Sequence, residues 1–302
     1  EGTFAHFNGM GATPADLLLT LLAYDEARGA PFSNAPYSGY QRIEAGGGVA
    51  IVDTGRPPPI EMSLDAHAGC LSFEFSSPKQ SLIIVNCGVP AASREAWRQL
   101  ARATPAHSTV TFNNMSSARF VELAALRRML GGSPIVSGPA NVMVSRDDNS
   151  DMLVLRASHD GYARRFGIIH ERVLMLAPDG LQLHGEDIFL DAQGAPRLRS
   201  ARDEFAVRFH LHPSVRVNRL TDGHGVILMT PNKEVWILSA HHDRVELEES
   251  VYLAGSEGPR RTFQVVIYGH ARTASRVQWS LQQAQVGAAA RRTEGDEPKL
   301  PL

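Results

Sequence analysis

The chain has 302 residues, of which 21% are charged, and a formal net charge of −2. This charge, with no basic cluster among aromatic residues, argues against a nucleic-acid-binding surface. No stretch approaches the roughly 20 continuous apolar residues of a membrane-spanning helix. The two cysteines are too few for a disulfide framework. The length allows one large β domain or two ordinary domains.

The first 35 residues differ in character from the rest. Thr13, Pro14 and Asp16 form a typical helix start, and residues 17–24 are almost continuously apolar. Such a helix must be buried against something, and one helix cannot bury itself. We therefore interpret residues 1–35 as the end of an upstream helical domain. Because the chain begins at Glu1 rather than at Met, we expect the N-terminal helical domain to be missing from this sequence.

From Tyr37 onward the sequence alternates between strand-like runs and turn signals such as Asp222-Gly223. Many short strands with little helix between them predict a mainly β fold, a large antiparallel β-sandwich over residues 36–286. Residues 93–102 and 117–130 are the exceptions and are predicted to be helical. The tail, residues 287–302, has a composition typical of disorder. The predicted strands are 40–44, 49–53, 71–76, 82–86, 109–112, 141–145, 152–157, 171–176, 180–189, 206–212, 215–219, 225–230, 234–240, 244–252, 262–268 and 277–282.

Residues 77–80 are predicted to form the loop of a hairpin. Its register would pair Ser76 with Ser81, Phe75 with Leu82, Phe73 with Ile84 and Leu71 with Asn86. Because side chains alternate with period two, Leu71, Phe73, Phe75, Leu82 and Ile84 would share one face, with Asn86 at its end. The same register sets Cys70 opposite Cys87, as a disulfide or as two buried thiols, and we favour thiols.

Two histidines, His67 and His107, each precede a strand, and Asn86 ends the strand between them. Three potential metal ligands can therefore meet on one sheet. Two other interpretations stay open: histidines before strands are often hydrogen-bonded structural residues, and Asn86 can stabilise a turn through its amide.

The stretch from Asp65 to Asn114 resembles the C-terminal domain of the heparinase II/III-like polysaccharide lyases. That family reads roughly H-x-H-x-D-x-L-S-F, then D-P-G, then H-N-T. Matching segments here are residues 65–73, 86–88 and 107–109, and Ser38-Gly39-Tyr40 and residues 158–162 followed by His170 are also similar. The resemblance covers about residues 1–270.

The resemblance implies an (α/α) toroid followed by a β-sandwich, or supersandwich, with the acid and base on the toroid. It implies a metal, often zinc, held by His67, Asn86 and His107. The implied reaction is β-elimination at a uronic acid of an acidic polysaccharide, possibly sulfated, in which a base removes the C5 proton and an acid protonates the departing oxygen. Relatives are often periplasmic or secreted.

Three positions depart from the family pattern. Asn86 replaces a carboxylate with a neutral amide, a weaker zinc ligand, so the metal is expected to be weakly bound, exchanged for another ion, or lost. Asp65 replaces the first histidine, which faces the substrate in some relatives. Gly69 replaces the usual aspartate.

Other polar residues are candidates for chemistry. Asp65, His159 and Tyr162 are candidate catalytic residues and Arg102 a candidate substrate contact, although Asp160-Gly161 is also a good turn dipeptide. His210 and His212 are interpreted as the polar face of a strand rather than as a metal site.

The sequence thus predicts the C-terminal part of a polysaccharide lyase acting on uronate-containing glycans. The alternative is a non-catalytic carbohydrate-binding or structural β-sandwich with a degenerate metal site.

Overall fold

The computed structural model describes residues 4–11, 13–24, 29, 31–90, 95–148, 151–196, 203–271 and 273–284. Two large antiparallel sheets form the body of the fold. The first sheet has nine strands, in the order β1-β2-β3-β4-β5-β13-β18-β17, with β6 paired to β13. Its strands are β1 (Asn34–Ala35), β2 (Tyr40–Ala45), β3 (Gly48–Asp53), β4 (Phe73–Ser76), β5 (Leu82–Val85), β6 (Val110–Phe112), β13 (Glu204–Leu211), β17 (Val245–Tyr252) and β18 (Arg260–His270).

The second sheet has eight strands in the order β14-β15-β16-β19-β12-β11-β10-β9. A separate two-stranded sheet pairs β7 (Arg119–Phe120) with β8 (Ile135–Ser137). The strands of the second sheet are β9 (Val142–Asp147), β10 (Leu153–His159), β11 (Ile169–Leu176), β12 (Gln182–Leu190), β14 (Arg216–Arg219), β15 (Gly225–Met229), β16 (Val235–Ala240) and β19 (Arg276–Gln283).

One continuous apolar core lies between the two sheets. Phe73 of the first sheet stacks on Trp279 of the second, with ring centroids 5.5 Å apart. The large Trp279 ring requires glycine opposite it, because a Cβ on Gly185 would lie 2.1 Å from the indole. The predicted mainly β, sandwich-type fold is therefore confirmed.

Helices are few and short. They are α1 (Ala15–Tyr24), α2 (Glu95–Arg102), α3 (Ala124–Met129) and α4 (Ala163–Phe166), with 3₁₀ turns at Ile60–Met62 and Thr104–Ala106. No helix among the described residues is long and apolar enough to span a membrane. In α1, Leu18 is buried while Leu19 and Leu22 are more than 60% exposed, at 68% and 61%. Assignment of residues 1–35 to an upstream domain stays a prediction, and the predicted tail lies outside the described residues.

The hairpin register was predicted wrongly. Phe75 pairs with Ile84 rather than with Leu82, and an irregularity at Ser76 then sets Leu82 opposite Ser76. This bulge moves Leu82 to the outer face, where it packs near Val85 and Tyr252. Phe73, Phe75 and Ile84 do share the core, as predicted. Cys70 and Cys87 are free and buried.

Candidate functional site

The segments before β4 and β6 bring His67 and His107 into contact. Nδ1 of His67 lies 2.9 Å from Nε2 of His107, and both side chains are buried. Nδ1 of His107 is 2.9 Å from the carbonyl oxygen of Ala103, which can only accept. That nitrogen therefore carries the proton, so Nε2 of His107 accepts from Nδ1 of His67. Nε2 of His67 is left as a buried lone pair with no partner within the described structure.

Both histidines are neutral at physiological pH. Burial lowers the pKa of His107 to about 4. Burial, with His107 and the positive charge of Arg102 nearby, lowers the pKa of His67 well below its usual value. The pair is thus a fixed hydrogen-bonded unit rather than a charged one.

Asn86 forms its hydrogen bonds with residues other than the two histidines. Its Oδ1 accepts from the backbone N–H of Ser108 at 3.0 Å. Its backbone N–H donates to Oε1 of Glu74 at 2.9 Å, and its Nδ2 lies 3.4 Å from the same oxygen. Asn86 therefore ties β5 to β4 and to the segment before β6, so its amide links three segments rather than stabilising one turn.

These three residues do not fit a zinc site in this arrangement. Tetrahedral zinc holds nitrogen ligands at about 2.0–2.1 Å, which keeps two of them more than 3 Å apart. Here the two imidazoles share a proton at 2.9 Å, and the oxygen of Asn86 is already bonded. The described residues contain no group of three or more His, Cys, Asp or Glu side chains able to hold a metal. Metal binding stays a prediction, and no chemical step below uses one.

Gly69 makes room for the histidine pair. A Cβ at this position would lie 2.8 Å from Cδ2 and 3.2 Å from Nε2 of His107. The imidazole of His107 thus fills the space that the family's aspartate side chain would need.

Asp65 lies at the surface beside this pair. Its carboxylate is 68% exposed and forms an ion pair with Arg98 of α2. Of the predicted catalytic candidates, Asp65 is the one that solvent or a substrate can reach directly.

Arg102 serves the packing of loops. Its Nε, Nη1 and Nη2 donate to the carbonyl oxygens of Ala66, Ser133 and Ser63, and it lies over the ring of Phe120. All three nitrogens are engaged in the buried interior, so this geometry gives Arg102 a structural role rather than the predicted contact with substrate.

His159 and Tyr162 are also inside the protein. Nδ1 of His159 accepts from the N–H of Gly161 at 3.0 Å, and the hydroxyl of Tyr162 donates to the carbonyl of Val110 at 2.8 Å. Burial raises the pKa of Tyr162 and lowers that of His159. Neither can meet a polysaccharide without a rearrangement of the core.

His159 contacts a buried network of hydrogen bonds and ion pairs that was not predicted from the sequence. His170 lies 3.4 Å from His159 and 2.7 Å from the carboxylate of Asp187. Arg172 donates two hydrogen bonds to the same carboxylate, from Nε at 2.8 Å and from Nη2 at 3.0 Å. It also donates to the carbonyls of Leu71 and Ser108 in the segments leading to β4 and β6. The opposite charge of Arg172 and the His170 hydrogen bond outweigh desolvation and lower the pKa of Asp187.

A sequence signal for this network did exist. Arg172 has the same strand parity as Leu174 and Leu176, and Asp187 the same parity as Leu183 and Phe189. Charged residues at inward positions of two adjacent strands indicate a buried pair.

The comparisons with known proteins agree with this architecture. The chain is 32% identical to FtsZ-localized protein C of Caulobacter vibrioides over 294 aligned residues. The aligned region covers 94% of this chain but only 49% of that protein. The chain thus spans about half the length of this curated relative.

Solved structures show the same fold at low identity. A mutant of heparan sulfate lyase HepC from Pedobacter heparinus superposes with a TM-score of 0.67 at 12% identity, covering 93% of this chain and 44% of the lyase. Heparinase III gives a TM-score of 0.65 at 11% identity, with 94% and 45% of the two chains covered. The sequence profile of the family described as "Heparinase II/III-like, C-terminal" matches residues 27–280. This chain therefore belongs to the heparinase II/III-like family.

Proposed function

We propose that this chain is a non-catalytic heparinase-type β-sandwich that serves as a binding and assembly module at the sites where FtsZ is located. The observation that carries the proposal is the altered site. His67 and His107 are bonded to each other, and the amide of Asn86 is bonded to Ser108 and Glu74. Within the described part of the chain no carboxylate is hydrogen-bonded to the two histidines, and Asp65 forms an ion pair at the surface.

The relative in Caulobacter vibrioides supports the cellular setting, because its name describes a protein localised with FtsZ and the identity extends over almost the whole of this chain. Family membership suggests an acidic polysaccharide as the ligand class. A sandwich that keeps the fold but has an altered metal site can hold such a ligand without cleaving it.

Fluorescence microscopy tests the setting. The full-length natural protein, fused to a fluorescent protein in cells that carry a differently labelled FtsZ, should co-localise with FtsZ. It should disperse when FtsZ is depleted. Asp65→Asn and His67→Gln variants should localise normally, because the proposal needs no chemistry from them. A uniform distribution that ignores FtsZ would remove this part of the proposal.

The second candidate is a polysaccharide lyase. One observation favours it: the carboxylate of Asp65, two residues before His67, is exposed at the position where some relatives have a substrate-facing histidine. If Asp65 acted as the base, it would have to leave Arg98 and approach the C5 proton of a uronate. In that case Asp65→Asn would abolish turnover, while His67→Gln would reduce it less.

A further inference from the structure

The two sheets end in strands that differ in how they are protected from pairing with other chains. β1 is only two residues long. β14 carries Arg216 and Arg219, and β17 carries three glutamates, at positions 246, 248 and 249. Shortness and charge are the usual protections of a sheet edge. These three edges are therefore poor templates for a further strand.

β9, the remaining edge, lacks this protection over its first half. It reads Val142-Met143-Val144-Ser145 before Arg146, and Met143 and Val144 are 69% and 39% exposed. β10 pairs with one side of β9. On the other side, no backbone hydrogen bond to Val142–Arg146 occurs among the described residues. This edge is apolar and exposed over its first half, and it is long enough to accept a strand.

Two neighbouring cavities form a groove beside this edge, and the side chain of Arg146 crosses between them to the carbonyl oxygens of Ser33 and Arg42 at the β1–β2 end of the other sheet. Val142 and Val144 line a cavity of about 490 Å³ together with Tyr37, Gly39 and Arg56. Arg146 and Asp148 line a second cavity of about 350 Å³ with Arg42 and Glu44. The groove-facing residues of this edge are all even-numbered, as the period of a strand requires. A strand added to β9 would thus direct every second side chain into the groove.

The charges of the groove differ between its two ends. At the far end, Arg146 is paired with Asp148 and Arg42 with Glu44. At the near end, Arg56 is exposed and forms no ion pair within the described residues. An acidic side chain of a partner would therefore be attracted by Arg56 at the Val142 end of the groove. At the other end it would be repelled by the carboxylates of Asp148 and Glu44.

We propose that β9 and this groove, which we call the β9 groove, bind an extended, acidic–apolar peptide segment of a partner protein. The segment adds as a strand antiparallel to β9, the more stable pairing. Its direction then brings its C-terminal half to Val142. The recognised pattern is an apolar residue, any residue, an apolar residue, any residue and then Asp or Glu, whose carboxylate meets Arg56. This inference does not depend on whether the chain cleaves glycans.

Selection from a random dodecapeptide library displayed on phage, with the purified chain immobilised, tests the proposal. The selected peptides should share the alternating apolar pattern that ends in Asp or Glu. Synthesised with a fluorescent label, they should bind the chain in fluorescence polarisation. N-methylation of alternate peptide nitrogens should abolish binding, because strand addition uses backbone hydrogen bonds.

Two pairs of variants make the test specific. Arg56→Glu should weaken binding at least about tenfold, the value of a lost charge-assisted hydrogen bond, while Arg216→Glu on the β14 edge should not. Val144→Lys should abolish binding, while Asn218→Lys on β14 should not. Circular dichroism and thermal unfolding verify that each variant is folded.

Three results would overturn the proposal. The first is a selection without enriched peptides. The second is a set of peptides that bind Arg56→Glu and Val144→Lys as well as the unchanged chain. The third is a stable dimer in sedimentation velocity that Val144→Lys dissociates, since β9 would then pair with a second copy of this chain. The proposal would also be overturned if an acidic oligosaccharide bound through Arg56 and no peptide did.

Discussion

Nδ1 of His67 donates to Nε2 of His107 at 2.9 Å, and the pair is held in this tautomer by the carbonyl of Ala103. This single contact decides how the family's site is interpreted in this chain. Two of the family's ligand positions are present and adjacent, yet they bind each other. The third, Asn86, faces Glu74 and the N–H of Ser108.

The space for the His107 ring depends on Gly69. In Gly69→Ala the new methyl group would lie 2.8 Å from Cδ2 of a ring that is hydrogen-bonded at both nitrogens. The ring cannot move without losing a bond, so the free energy of unfolding should fall by about 1–3 kcal/mol. Urea denaturation measures this. Gly29→Ala is the control, since no atom of the described residues would lie within 4 Å of the methyl group added there. Equal stability of the two variants would contradict the packing described.

Arg172 connects the two sheets through Asp187 and the carbonyls of Leu71 and Ser108. Arg172→Met would leave a buried carboxylate without its cation and should cost about 3–5 kcal/mol. The control is Arg156→Met, because Arg156 is 49% exposed where it pairs with Glu171 and should contribute less than about 1 kcal/mol. Urea denaturation of both variants should separate them clearly. A loss in Arg172→Met as small as in the control would show that the network is not a structural link.

Stability should fall when the pH drops below about 6.5. Folding lowers the pKa of the buried histidines, so the unfolded chain takes up protons that the folded chain does not. Each such group removes about 1.4 kcal/mol per pH unit between its unfolded and its folded pKa. Asp187, with its lowered pKa, acts in the same direction at lower pH. Asp53 acts oppositely, since burial raises its pKa to about 6 and protonation stabilises the fold.

Burial also raises the pKa of Asp243, but the histidines outnumber these two carboxyl groups, so the net effect of acid is destabilising. Urea denaturation at a series of pH values from 8 to about 5 should show a midpoint that falls steadily below about pH 6.5. A midpoint that is constant or rises across this range would contradict the neutral, buried state of the histidines.

Restoring the family's carboxylate should not restore a metal site by itself. In Asn86→Asp a second carboxylate would face Glu74, which now accepts from the backbone N–H and lies 3.4 Å from the side-chain nitrogen of Asn86. The variant should therefore be less stable by about 1–3 kcal/mol. Elemental analysis should find far less than one zinc per chain in both proteins, and a chelator should leave the thermal unfolding temperature unchanged. Stoichiometric zinc that depends on His67 and His107 would reverse this conclusion.

Much of the fold could be predicted from alternating apolar patterns and turn residues, as the strands around Tyr40, Val49 and Thr262 illustrate. The hairpin register could not, because the bulge at Ser76 depends on packing of Leu82 against the distant strand β17. β1, β7 and β8 have only two or three residues, too few for a periodic pattern.

The candidate site could be predicted in part. The order of the motifs correctly predicted that His67 and His107 lie close together. The orientation of Asn86 was not predictable, since it depends on a hydrogen bond to the buried carboxylate of Glu74 on the neighbouring strand. The structural role of Arg102, in place of the predicted contact with substrate, could not be predicted, because the sequence gives no sign of the three carbonyl oxygens that accept from it.

An assay of lyase activity on the full-length natural protein tests the central claim most directly. The protein is incubated with heparin, heparan sulfate, hyaluronan and alginate, and the ultraviolet absorbance of unsaturated uronate is followed, with an active heparinase III as positive control. We predict no increase above the protein-free rate on any of these glycans. Turnover that is lost in Asp65→Asn, in a variant that stays folded, would contradict the claim that this β-sandwich binds without cleaving.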